Sequence, residues 1–260
     1  TILYKPIARD RDMAFCKFHE HAIFTFISSS INNKLQTFDY NYGNIKGLEK
    51  NGRYVDHVLL NSLSRQDILL IADSLKTSLT DKVIEDAIAL WPQEVYQKTG
   101  PEIIAKLKSR RDHLQEAANQ FYDLISKEVI ITGTDKIETI EIIRTDDQLT
   151  SVRMMDENAR IMYSRTFRRD ETEKIKVFAL NGNDQITLTG TVRRGIDIEI
   201  YGGEGNDLIA DHSHVKGHMN KTKIYDSSQG NRIEFGKESE DKTSEDPCIL
   251  DFDRVGVRKR

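Results

Sequence analysis

Two cysteines, Cys16 and Cys248, are too few in 260 residues for a disulfide-stapled framework. They lie near opposite ends and could pair in an oxidising compartment, and nothing in their spacing decides whether they do. Long apolar runs are missing too. The longest, around Ala22 to Ile27, is far too short to span a bilayer. Neither sign of charge dominates: 38 Lys and Arg against 42 Asp and Glu give a formal net charge of −4, which offers no electrostatic case for nucleic acid. The basic end, Arg258-Lys259-Arg260, forms no patch. Position 1 is not Met and no charged-then-apolar leader follows it, so the chain is expected to be a fragment or processed form of a longer protein. What is present, 38% hydrophobic and 31% charged residues, suits a folded chain with room for two modest domains.

Residues 1–18 read as extended, and a helix is expected from about Glu20 to Leu35. The polar stretch Thr37 to Gly52 reads as a loop, and Tyr54 to Glu128 as helical. Ser64-Arg65-Gln66-Asp67 resembles a capping box, with Ile68, Ile71, Ala72, Leu75 and Leu79 at helical spacing behind it. Thr80 caps the next helix, whose expected buried stripe is Val83, Ile84, Ala87, Ile88 and Trp91, ended by Pro92. Gly100-Pro101 is expected to open another helix, with a break near His113. At Val129 the apolar period changes from 3.6 to 2. Val129–Gly133, Ile137–Arg144, Thr150–Met155 and Arg160–Phe167 read as strands joined by acidic turns. The expected organisation is α+β: a helical segment over 1–128, a β domain over 129–236 ending in a short three-coil β-solenoid, and a polar linker over 237–260 toward a further domain.

Three segments, at 177–186, 200–209 and 224–233, resemble one another. Val177, Ile200 and Ile224 are 23 and 24 residues apart, as are Ile186, Ile209 and Ile233, and Asp184, Asp207 and Asn231. Such spacing implies stacked coils of strand, tight turn, strand and return loop, with like residues aligned in ladders. Gly202-Gly203-Glu204-Gly205-Asn206-Asp207 matches the start of the calcium-binding nonapeptide, in which glycines present carbonyls and the Asp completes an oxygen cage. The first copy keeps Gly182, Asn183 and Asp184, and the third sets Arg232 beside Asn231. One Ca²⁺ site is therefore expected, from Gly182, Asn183, Asp184, Gly203, Gly205, Asn206 and Asp207. The alternative is an ordinary turn in which Gly supplies positive φ and Asn or Asp caps.

Other ligand-type residues are weaker signals. Cys16, His19 and His21 are closely spaced but lack a fourth ligand, and Asp211, His212, His214 and His218 occupy a return loop. Asp10 and Asp12 end the first expected strand on one side of it, where a carboxylate pair can hold Mg²⁺ against phosphate, or can form salt bridges with Arg9 and Arg11.

Pro6-Ile-Ala-Arg-Asp-Arg-Asp-Met-Ala-Phe15, Leu63-Ser-Arg-Gln-Asp67, Trp91-Pro-Gln-Glu-Val-Tyr96, Ile104-Ala-Lys-Leu-Lys-Ser-Arg-Arg-Asp112, Gly133-Thr-Asp-Lys136 and Phe167-Arg-Arg-Asp-Glu171 resemble segments of large surface proteins of the Bacteroidota. That resemblance implies a periplasmic or surface location at the outer membrane, with an upstream metallophosphoesterase domain and a downstream BamA-like barrel as partners. The membrane would be reached only through that barrel. The first half is similar to the C-terminal lobe of CotH-type secretory kinases, which would put Asp10 or Asp12 on Mg²⁺ beside ATP. No D-R-H-type segment stands before Asp10 and no Gly-rich phosphate loop is visible, so this stretch is expected to be non-catalytic, or one part of an atypical kinase.

Overall fold

The computed structural model describes residues 14–17, 36–217, 222–227 and 230–245. The expected first strand, the helix over Glu20 to Leu35, Asp10, Asp12 and Cys248 lie outside them. The fold is mixed α and β, with six helices and three sheets among the described residues. The chain divides into two compact units, residues 1–52 with 64–124, and residues 53–63 with 125–260.

The helices are α1 (Ile45–Glu49), α2 (Arg53–Leu59), α3 (Arg65–Ser78), α4 (Asp81–Ala89), α5 (Gln93–Asp112) and α6 (Leu114–Ile125). Side-chain caps start three of them. The amide of Gly47 donates to Asn44 Oδ1 (3.1 Å), that of Asp67 to Ser64 Oγ (3.3 Å) and that of Val83 to Thr80 Oγ1 (3.3 Å). Asp67 completes the box by accepting the Ser64 amide at 2.8 Å. The Asn44 cap also explains α1, a helix inside the stretch expected to be loop. Gly100-Pro101 does not open a helix: α5 runs through it from Pro92, which is the N-cap. Only Ile84 and Ile88 of the α4 stripe are buried, with Ile68, Ala72 and Ile103 beside them in the buried set, while Val83 stays about half exposed.

The second unit carries thirteen described strands. The first sheet is β1 (Glu128–Thr132), β5 (Lys174–Phe178), β8 (Asp197–Tyr201), β11 (Thr222–Tyr225) and β13 (Glu240–Asp241), every pair parallel. The second runs β12 (Arg232–Glu234), β9 (Leu208–Asp211), β6 (Gln185–Thr189) and β2 (Glu138–Arg144), also parallel. It then adds the antiparallel β3 (Leu149–Asp156) and β4 (Ile161–Arg168). A third, two-stranded sheet pairs β7 (Thr191–Val192) with β10 (His214–Val215).

Register aligns Ile131, Val177, Ile200 and Ile224 in one row, and Ile140, Ile186, Ile209 and Ile233 in another. Alternation sends both rows inward, where they share a single core. Burying each such side chain is worth about 1.5–3 kcal/mol. The opposite face of the first sheet stacks Phe178, Tyr201 and Tyr225, with ring centroids 4.2 and 4.5 Å apart.

Two features lie outside the three-copy expectation. β1 and β2 occupy the same ladders one rung earlier, so Gly133–Glu138 is the turn that precedes Ala179–Asp184, Gly202–Asp207 and Asp226–Asn231. The β3–β4 hairpin interrupts the period there, putting 46 residues between Glu138 and Asp184 where later turns are 23 and 24 apart. The open edge of β1 is also covered. His57 Nδ1 lies 2.8 Å from the carbonyl of Glu128, and Asn61 Nδ2 donates to that of Ile130 at 2.6 Å. Side chains four apart around α2 thus match carbonyls two apart on a strand. This places residues 53–63 with the β unit.

Candidate functional site: a column of buried carboxylates

Each six-residue turn carries the chain from the first sheet to the second. Its last position is Glu138, Asp184, Asp207 or Asn231, and these are linked from turn to turn. Asp184 Oδ1 accepts the amide of Glu138 (2.7 Å), Asp207 Oδ1 that of Asp184 (2.8 Å), and Asn231 Oδ1 that of Asp207 (2.7 Å). The first position of the last turn adds Asp226, whose Oδ1 accepts the amide of Ser227 at 2.6 Å. Glu138, Asp184, Asp207 and Asp226 are each no more than 2% exposed.

The second oxygens are the unusual feature. Oδ2 of Asp184, Asp207 and Asp226 are all buried without a hydrogen-bond partner. A charged oxygen without water or donor is costly, so the group favours its neutral form. Burial, with the like charges of Asp207 and Glu138, pushes the Asp184 carboxyl up to about 7 despite its amide bond. Burial, with the charge of Asp207, takes Asp226 to about 7 against the opposing pull of the Ser227 amide and the Asn231 side chain, and burial also raises Asp207. Near neutral pH the column calls for protons or a cation.

The residues of the expected Ca²⁺ cage divide between two sides of the turns. Asp184 and Asp207 point inward, whereas Asn183 and Asn206 lie on the solvent side, where Asn183 Oδ1 accepts the Asn206 amide at 2.9 Å. Gly182, Gly203 and Gly205 have φ of +140°, +102° and +146°. A Cβ on Gly203 or Gly205 would strike the carbonyl of Leu180 or Gly182 in the preceding turn. These glycines serve close stacking. The Leu180 and Glu204 carbonyls are already taken by ladder amides at 2.8 and 2.9 Å. Among the described residues no three His, Cys, Asp or Glu side chains group together. Arg232 does not oppose a cation here either, since it is exposed and pairs with Glu234 at 3.0 Å.

The other sequence candidates separate. Asp211 is occupied by hydroxyls, accepting from Ser213 Oγ and Ser239 Oγ, both at 2.6 Å. His214 pairs with Glu238 at 2.9 Å, His212 is exposed, and His218 lies outside the described residues, as do His19 and His21. Sequence reasoning passed over Asp226, which falls where the second copy has Gly202 and so breaks the motif that drew attention to its neighbours. It also passed over Arg144, 1% exposed, whose Nη1 donates to the carbonyl of Ile196 at 2.8 Å.

Comparison with known proteins finds no match to any family model, curated protein or solved structure.

Proposed function

We propose that the chain is a non-catalytic module of a larger cell-envelope protein, in which the β unit is a short solenoid that sets a fixed spacing between the parts of the protein before and after it. The reading is supported above all by one observation, the unbroken inward rows Ile131–Val177–Ile200–Ile224 and Ile140–Ile186–Ile209–Ile233 in a single core. A protein built by repetition along one axis transmits distance, and each added repeat lengthens it by one strand spacing. The covered edge of β1 fits the same role, because an open first rung would recruit foreign strands.

Spin labels on Thr132→Cys and Lys242→Cys, with native cysteines replaced, test it. These positions stand four rungs apart, so their separation is expected near ~19 Å. Deleting residues 185–207, one repeat, should keep the fold and shorten that distance by about 5 Å. An unchanged distance, or an unfolded deletion variant, would sink the spacer reading.

A further inference from the structure

The Oδ2 atoms of Asp207 and Asp226 converge on one small space beside Gly202. A methyl group built on Gly202 would run into Asp226 Oδ2 and lie 2.8 Å from Asp207 Oδ2. With no Cβ, Gly202 lets the Asp226 carboxylate lie against its backbone, with Asp207 Oδ2 on the same side. Both carboxylates are pinned through their other oxygen, Asp207 by the Asp184 amide (2.8 Å) and Asp226 by that of Ser227 (2.6 Å). Their orphaned oxygens are therefore held toward a shared point, both side chains at or below 2% exposure. Two buried negative charges aimed at one point need a counter-charge.

We propose that Asp207 and Asp226 together seat one divalent cation above Gly202. The donors are oxygen only, which selects a hard ion over Zn²⁺ or Cu²⁺. Two carboxylates that fix no regular polyhedron suit the flexible shell of Ca²⁺ better than the strict octahedron of Mg²⁺, with the remaining oxygens supplied by backbone and water. This seat differs from the nonapeptide cage, because Asp226 stands at that motif's first glycine position and belongs to the repeat without the motif.

Neighbouring turns explain why the column holds one seat. In the turn before, the equivalent of Gly202 is Ala179, whose own methyl takes up the space. In the first turn Gly133 leaves room beside Glu138, but the next rung offers Ala179 where the seat needs a carboxylate. Only Gly202 has an Asp in its own turn and another at the same position one rung on.

The test is calorimetric titration of the full chain with CaCl₂ at pH 7.5, with thermal unfolding in parallel. One Ca²⁺ per chain is expected, with Tm raised roughly 5–10 °C once free Ca²⁺ exceeds Kd a hundredfold. Asp226→Asn, which keeps the side-chain shape, should lose binding and the Ca²⁺-dependent rise while remaining folded in chelator. Gly202→Ala, with both carboxylates kept, should do the same by filling the seat. If wild type binds no Ca²⁺ while Asp226→Asn is more stable in EDTA, the pair shares a proton and the cation site is overturned. Binding retained by both variants overturns it equally. Either outcome leaves the spacing measurement untouched, so the two readings fail separately.

Discussion

Asparagine at position 184 should make the β unit more stable at pH 8, although it removes a buried, hydrogen-bonded carboxylate. The Asp184 carboxyl titrates near 7 in the folded protein against an ordinary 3.8. A raised folded pKa means that its stabilising contribution is complete below about pH 3.8 and is lost as pH rises through 7. The shift is about three units at 1.36 kcal/mol each, so ionisation costs the fold about 4 kcal/mol by pH 8. The carboxamide keeps the oxygen that accepts the Glu138 amide and replaces the orphaned one with an NH₂ needing acceptors, a cost of about 1–3 kcal/mol. The next rungs show that the exchange is tolerated. Asn231 holds the same position, accepts the Asp207 amide, and gives its NH₂ to the carbonyl and Oγ of Ser227 at 3.2 and 3.0 Å. The net gain should be about 2 kcal/mol, or roughly 4–8 °C in Tm at pH 8. It should reach zero at pH ~5 and reverse by pH ~4, where little besides the cost of the unmatched NH₂ remains. Thermal unfolding of wild type and Asp184→Asn in EDTA, from pH 4 to 8 at constant ionic strength, measures it. Parallel curves, or a variant less stable than wild type at pH 8, would refute the argument that a buried ionised carboxylate burdens this turn.

Further substitutions probe the edge and the stacking. His57→Ala and Asn61→Ala each uncover one carbonyl of the β1 edge, and each should cost about 1 kcal/mol in urea unfolding, with the double variant showing dimerisation in analytical ultracentrifugation. Gly205→Ala drives a Cβ into the Gly182 carbonyl at a φ of +146°, so it should destabilise by more than about 2 kcal/mol, whereas Gly217→Ala, 2.8 Å from the Arg193 carbonyl and without positive φ, should cost less in the same assay.

The parts of the fold visible in the sequence are those set by local chemistry. Ser64 and Thr80 cap because their hydroxyls meet an amide three residues on, and the strand periods from Val129 onward need only alternation. Pro101 misled because a proline inside a helix forfeits only one amide bond, which the rest of a 20-residue helix can carry. The first repeat stayed hidden because its turn, Gly133-Thr-Asp-Lys-Ile-Glu138, shares a leading glycine with only the Gly202 turn and a final acid with only two of the others, and the hairpin doubles the period. At the site, Asp184 and Asp207 were legible from the repeat. Asp226 was not, since a motif marks what copies share, and this seat depends on what the last copy does differently. The cap by His57 and Asn61 was invisible for another reason. It joins residues 71 and 69 positions apart, and no local pattern encodes such a contact.

The hydrogen-bonded column has a direction. Every acceptor side chain reaches back to the amide of the turn before it: Asp184 to Glu138, Asp207 to Asp184, Asn231 to Asp207. A turn added at the carboxyl end therefore brings the acceptor for an amide already in place, starting from β1, whose edge is held by residues lying earlier still in the chain. Adding turns in the order of synthesis satisfies one waiting amide at each step. A chain emerging amino end first always offers the next segment a finished surface to join, and its one growing edge is the end still attached to whatever is being made.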